Sequence, residues 1–292
     1  MYPNDFGYHA PASLAEALRY LREGQGGGEV KVLAGGQSLI PLIKLRLAEP
    51  ASLVDLSNVA ELRGVREESD GLLIGAMTTY FQVIDSAEAQ RRCPLLIQTL
   101  RQVGDPQVRA RGTVGGSLAH ADPAGDLPAA AMALNAEVRA VGPTGQRIIS
   151  VNSFITDMLT TSLQADEIVT AVKFQATDTP MTGTAYVKHR HPASGYAVVG
   201  VAAVVRLAAD GSCQEARVGV TGAGSHATRA TSVERALAGK ALDANTIAQA
   251  CATITDGLDM MSDTYASAEY RAHLARVIAR KAIAEAAANA RQ

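Results

Sequence analysis

Near the start of the chain Leu14, Ala17, Leu18 and Leu21 fall on one stripe of a 3.6-residue repeat. Ser13 and Glu16 occupy capping-box positions and Gly24 can close the last turn, so the pattern predicts a helix over Ser13–Gly24. Gln25-Gly26-Gly27-Gly28 reads as a flexible turn. The short apolar run Val30–Leu33 reads as a buried strand, Pro41–Leu47 as a helical turn or two, and Ser52–Leu56 as a second strand. From Gly71 the pattern changes. Leu72–Ala76 predicts a strand, Thr78 or Thr79 caps a helix reaching Asp85, and Pro94–Val103 predicts a helix with Leu95, Leu96 and Leu100 inward. An alanine-rich helix follows over Asp126–Leu134, then a hairpin over Val138–Val151 around Gly142-Pro143-Thr144-Gly145, and a strand over Glu167–Phe174. Ala176-Thr177-Asp178-Thr179-Pro180 reads as a linker. Beyond it, Gly183–Lys188, Ala197–Leu207 and Cys213–Thr221 predict three strands, the last two turned by Asp210-Gly211. The remainder is helical near 228–239, 244–257 and 267–290. The expected fold is α+β, with a two-part region to about residue 176 and then a three-stranded antiparallel sheet with helices.

Composition narrows the class. Apolar residues make up 47% and charged residues 19%, enough for a substantial core and against disorder. Tryptophan is absent and aromatics are 4%, so alanine, valine and leucine must fill that core. A net charge of −2 gives no reason to expect nucleic acid as a partner. Cys93, Cys213 and Cys251 are scattered and form no CxxC, which argues against a disulfide framework or a cysteine-ligated cluster and suits a reducing compartment. The N-terminus lacks a signal-peptide pattern and no apolar run reaches membrane-spanning length, so a soluble cytoplasmic protein is expected.

The candidate chemistry lies in two glycine pairs. Ala34-Gly35-Gly36-Gln37-Ser38-Leu39 and Thr113-Val114-Gly115-Gly116-Ser117 each combine two glycines with hydroxyl side chains. Such segments let backbone N–H groups approach a phosphate closely. One alone is explained as well by a tight turn; two point to a pyrophosphate held from two sides, hence a dinucleotide. Asp126, at the start of a helix, either caps it or accepts from a ribose hydroxyl or an adenine amino group. His120, Asp122 and Asp126 resemble a metal set without a fourth ligand, and no metal is expected. Gly222-Ala223-Gly224-Ser225-His226-Ala227 matches G-x-G-x-x-A, but the strand before it follows an Asp-Gly hairpin and so is antiparallel, which rejects a dinucleotide fingerprint. Lys188-His189-Arg190-His191 before Ser194-Gly195-Tyr196 reads either as a solvated strand end or as a positive face toward a flavin or a partner. No nucleophile elbow, H-E-x-x-H, P-loop or carboxylate pair is present, so no catalytic residue is assigned and the chemistry belongs to a cofactor.

The two segments, read on through Ile40-Pro41-Leu42-Ile43-Lys44-Leu45-Arg46 and through Leu118-Ala119-His120-Ala121-Asp122-Pro123-Ala124-Gly125-Asp126-Leu127-Pro128, resemble the FAD-binding medium subunit of the xanthine dehydrogenase and aerobic carbon monoxide dehydrogenase family, the molybdenum hydroxylases. The resemblance extends to the Tyr-Val-Lys start at Tyr186, to Gly195-Tyr196-Ala197 and to the closing helical region, and so covers essentially the whole chain. It implies a PCMH-type FAD-binding domain over 1–176, with subdomains 1–57 and 58–176, and a flavoprotein C-terminal domain over 177–292. It implies FAD between Ala34–Leu39 and Thr113–Ser117, Asp126 on the ribose or adenine side, Ile168 and Lys188 against the flavin, and Tyr196 beside the isoalloxazine ring. Ser117 stands where asparagine is frequent in the family, and Gly195 where an aspartate often precedes the tyrosine. The inserted iron–sulfur loop of relatives that reduce aromatic thioesters is absent. The implied partners are a small two-cluster iron–sulfur subunit and a large molybdopterin subunit, as a dimer of heterotrimers. The implied function is electron relay through non-covalent FAD to an external acceptor. A free-standing flavin oxidase and a non-redox flavin-binding assembly module are the alternatives.

Overall fold

The computed structural model describes residues 2–24 and 26–291. Gln25, the first residue of the expected glycine turn, lies outside them. The first unit is a three-stranded parallel sheet. It contains β1 (Gly7–His9), α1 (Leu14–Gly24), β2 (Val30–Leu33), α2 (Leu39–Lys44) and β3 (Ser52–Asp55), with β3 central in the order β1-β3-β2. Ala17 and Leu21 of α1 are buried together with Val54, as the helical stripe predicts. The capping box forms only in part. Ser13 Oγ accepts from Glu16 N–H at 3.2 Å, but the Glu16 carboxylate accepts from Ala12 N–H instead of Ser13 N–H.

A five-stranded mixed unit follows. Its elements are β4 (Val65–Glu68), β5 (Gly71–Gly75), α3 (Tyr80–Asp85), α4 (Ala87–Arg92), α5 (Pro94–Leu100), α6 (Pro106–Arg111), α7 (Val114–His120), α8 (Asp126–Ala133), β6 (Glu137–Gly142), β7 (Gly145–Ser150), α9 (Val151–Phe154), a small hairpin of β8 (Ile155–Asp157) and β9 (Thr160–Thr161), and β10 (Ile168–Gln175). The main sheet runs β4-β5-β10-β6-β7, every pair antiparallel. Thr79, not Thr78, caps α3: its hydroxyl accepts from Gln82 N–H while the Gln82 side chain accepts from Thr79 N–H. Helix α8 is buried along its whole length, which its Ala-rich sequence permits because small side chains let elements approach from all sides.

The third unit corrects the expectation of three strands. Its sheet has four, in the order β11 (Thr182–Arg190), β12 (Ala197–Leu207), β13 (Cys213–Thr221), β14 (Thr228–Arg229). Gly222, at φ +78°, reverses the chain after β13, so Thr228 and Arg229 pair back on Val220 and Gly219, and the helix expected from 228 begins at Thr231. Helices α10 (Thr231–Leu237), α11 (Ala244–Cys251) and α12 (Ala268–Asn289) cover one face. Alternate residues of β12 point to opposite faces. Val199, Val201, Ala203 and Val205 join the core under α12, whereas Ala202 and Val204, with Tyr186 of β11, join the core around α5 and α8. That double burial is why β12 reads as an unbroken apolar run. Sheet and α8 touch directly, since a Cβ built on Gly219 would lie 2.0 Å from Ala129 O.

Candidate functional site

The first glycine pair links β2 to α2. Gly36 adopts φ +75°, a conformation that favours glycine. Ser38 occupies the N-cap of α2 but its hydroxyl caps nothing. Among the described residues, the backbone N–H groups of Gly35, Gly36, Gln37, Ser38 and Leu39 donate to no protein acceptor. These residues are half-buried or exposed, so their five adjacent donors are open to a ligand, and a fan of such amides is what a diphosphate accepts from.

The second glycine pair is not a loop. It forms the first turn of α7, which the sequence reading left out. Thr113 is the N-cap, its hydroxyl accepting from Gly116 N–H at 3.2 Å. Val114 N–H donates to Thr78 O at 3.1 Å and Gly115 N–H to Ala76 O at 2.9 Å, pinning this turn to the end of β5. Its amides are therefore already used. What the segment offers is close approach of its backbone, and the Ser117 hydroxyl beside the buried Tyr80 phenol. Burial drives that phenol's pKa up, with Ser117 opposing.

Glycine brings the two segments together. A Cβ on Gly35 would lie 2.2 Å from Arg111 O, one on Gly115 2.4 Å from Ala76 Cβ, and one on Gly116 3.2 Å from Ala34 Cβ. A groove of 560 Å³ is lined by Leu33–Gln37, by Ile40, Pro41, Lys44 and Leu45, and by Arg111.

Asp126 does not cap its helix. Gly125 is the N-cap, and the Asp126 carboxylate, 6% exposed, faces Lys188 and Tyr186. Lys188 Nζ lies 2.9 and 2.8 Å from the two carboxylate oxygens and donates also to Gln102 O at 2.8 Å and Gly195 O at 2.9 Å; Tyr186 OH donates to Asp126 Oδ1. Burial raises the Asp126 pKa, against the pull of Lys188, and lowers that of Lys188, against the pull of Asp126. The pair spans α8, β11, the segment after α5 and the loop carrying Tyr196. His120 Nε2 and Asp122 Oδ2 are 3.9 Å apart, and Asp126 is turned to Lys188 instead of toward them.

Tyr196 is 43% exposed. Burial of its phenol, then the Asp122 and Asp126 carboxylates, raise its pKa, and the Ser38 hydroxyl opposes them, so the tyrosine faces the end of the first glycine segment and the start of α8. Ala34–Leu39, Thr113–Ser117, Asp126, Lys188 and Tyr196 thus surround one region. Ile168 does not join them through its side chain, which is 2% exposed in the core of the first unit with Ala17 and Leu21. Tyr80 and Tyr186 went unread in the sequence as site residues. Their only signal there is a tyrosine in an otherwise aromatic-poor chain.

The unpaired amides, the glycine contacts and the Tyr196 phenol fit a flavin dinucleotide. Comparison with known proteins agrees. Residues 4–174 match the family described as the FAD binding domain in molybdopterin dehydrogenase, and residues 184–286 match the CO dehydrogenase flavoprotein C-terminal domain. The carbon monoxide dehydrogenase medium chain of Afipia carboxidovorans is 36% identical over 291 residues, covering 100% of both chains. Subunit alpha of the 6-hydroxypseudooxynicotine dehydrogenase complex of Paenarthrobacter nicotinovorans is 35% identical over 292 residues, covering 100% of this chain and 97% of that one. Among solved structures, a Hydrogenophaga pseudoflava carbon monoxide dehydrogenase lacking the Mo-pyranopterin moiety of its cofactor superposes with a TM-score of 0.94 at 37% identity, over 99% of each chain.

Proposed function

The chain belongs to the FAD-binding medium subunits of the molybdopterin dehydrogenases, and from that membership we propose that it relays electrons from the iron–sulfur clusters of a small partner subunit to an external acceptor. It is an oxidoreductase subunit, and its cofactor is FAD. FAD, when bound, takes up electrons singly and releases them in pairs. The chain's own residues supply position and field. The open amides of Gly35–Leu39 bind the diphosphate, and Thr113–Ser117 bring the backbone close on the other side. Tyr196 covers one side of the ring, and Ile168 borders the flavin through its backbone. Asp126 and Lys188, which already neutralise each other, hold α8 and the Tyr196 loop at a fixed distance around the ring and keep water out. Residues 1–176 carry the cofactor and 177–292 close over it. The assembly is a dimer of heterotrimers with a large molybdopterin subunit, located in the cytoplasm; among the described residues no helix is long and apolar enough to cross a membrane.

The observation that carries this reading is the fan of five unpartnered amides set against the second glycine segment and Tyr196. Substrate choice belongs to another subunit. In support, this chain is 36% and 35% identical to subunits of enzymes named for different substrates, carbon monoxide and 6-hydroxypseudooxynicotine. The test is an absorption spectrum of the purified chain before and after adding FAD, with the cofactor released by denaturation and identified by chromatography. Reduction of the bound flavin is then followed with a purified iron–sulfur partner. Flavin uptake with reduction only through the partner supports the relay. Unassisted turnover with a small substrate, or flavin that the partner never reduces, overturns it.

A further inference from the structure

Tyr196 is presented by the loop His191–Tyr196 between β11 and β12, and that loop is built around one imidazole nitrogen. His191 N–H donates to Tyr196 O at 2.8 Å, and Gly195 N–H to His191 O at 2.9 Å, which closes the loop. Pro192 has no N–H, so Ala193 and Ser194 carry the first amides inside it. Both donate to His191 Nδ1, at 3.3 and 3.2 Å, and Ser194 Oγ lies 3.2 Å from the same atom. Ser194 Oγ in turn accepts from Tyr196 N–H at 3.4 Å. The amides thus point at the ring nitrogen as an acceptor. The Tyr265 ring packs against the imidazole, centroids 4.3 Å apart and planes at 61°. Gly195, at φ +74°, allows the turn, and its carbonyl is held by Lys188.

We propose that His191 is a positioning residue for the flavin site: its Nδ1 orders the loop so that Tyr196 is held against the isoalloxazine ring. The inference rests on the reading that Tyr196 borders the flavin. It makes a specific claim, that the acceptor atom matters and the ring does not. Asparagine places Oδ1 as many bonds from the backbone as histidine places Nδ1, and it forms the same kind of turn. Phenylalanine keeps the ring against Tyr265 and removes the acceptor.

The experiment uses the full chain loaded with FAD, in wild-type form and as His191→Asn, His191→Phe and Tyr196→Leu. It reads the fluorescence of the bound flavin, which a stacked phenol quenches, and the flavin midpoint potential. Tyr196→Leu is expected to brighten the flavin and shift its potential. His191→Phe is expected to move both in the same direction, and His191→Asn to match wild type. Wild-type behaviour of His191→Phe beside a bright Tyr196→Leu overturns the positioning role. Equal changes in His191→Phe and His191→Asn overturn the acceptor role of Nδ1. A dim, unshifted Tyr196→Leu overturns the placement of Tyr196 itself, and the inference with it.

Discussion

Gly35→Ala is the sharpest perturbation of the site. The new methyl would lie 2.2 Å from Arg111 O, 2.9 Å from Arg111 C and 3.0 Å from Gly112 Cα, all backbone atoms that no rotamer change can move aside. The two segments must separate by roughly 1 Å to restore ordinary contact. Arg111–Gly112 is tethered by Gly112 N–H to Val108 O at 2.7 Å and by Tyr80 N–H to Gly112 O at 2.9 Å, so separation strains both bonds. Overpacking costs about 1–3 kcal/mol, and a weakened hydrogen bond about 0.5–1.5 kcal/mol more, which places the destabilisation at about 1.5–4.5 kcal/mol. Cofactor binding suffers separately. Losing one or two amide bonds to a charged phosphate, each about 1.5–3 kcal/mol, weakens FAD binding by about tenfold or more. Thermal unfolding of the chain without FAD reads the first effect and flavin titration reads the second. Gly26→Ala is the control, because a Cβ there meets nothing within 4 Å. It should change stability by no more than about 0.5 kcal/mol and leave FAD affinity unchanged. Gly35→Ala with wild-type stability and wild-type FAD affinity would refute the contact between the segments.

Lys188→Met leaves the Asp126 carboxylate buried with only Tyr186, and should cost about 3–5 kcal/mol in denaturant unfolding. Burial raises the Asp126 pKa in the folded state above its unfolded value, so folding favours the protonated acid. The deficit is therefore complete above the raised pKa and shrinks as the pH falls from there toward the unfolded value, which a stability profile against pH checks. Thr113→Val removes the hydroxyl that caps α7 and should lower stability by about 1 kcal/mol; an unchanged melting temperature counts against the cap. Cys93 is buried and its thiol pKa is pushed up to about 12 by burial, and burial likewise takes Cys213 and Cys251 to about 11. All three should resist a thiol reagent in the native chain and react on denaturation, and fast labelling of any one in the folded protein would contradict its burial. Gly219→Ala, whose Cβ would meet Ala129 O at 2.0 Å, should loosen the C-terminal sheet from α8 and lower stability by about 1–3 kcal/mol; limited proteolysis would detect the separation.

The longer strands and most helices were legible because each buries one face or two, whereas β1, β4, β8 and β9, short and mostly exposed, carry no such pattern. The stripe of α1, the apolar run of β12 and the Asp-Gly turn after it carry local patterns that burial alone explains. Helix α7 was not legible. Two glycines in one turn disfavour a helix by about 1 kcal/mol each. The turn forms because Val114 and Leu118 are fully buried and only glycine fits against Ala76 and Ala34. Strand β14 was missed for a related reason, since two residues carry no periodicity and pair only because the turn at Gly222 returns them to β13.

For the site, the residue types alone singled out the two glycine segments and left Asp126 open between a cap and an acceptor; the lysine and tyrosine after the linker entered as site residues only through the family resemblance. The glycine segments stand out because two glycine pairs with hydroxyl neighbours suit close approach of backbone amides to a phosphate from two sides. Which of them act together was a tertiary matter. Only the packing of α7 on β5 sets Gly116 against Ala34. Only the packing of β11 beside α5 and of α8 against β12 and β13 buries Lys188 with Asp126 as an ion pair. Only the folded loop makes a histidine the scaffold of Tyr196, because a hydrogen bond's worth depends on which partners burial has left it, and that is decided in three dimensions.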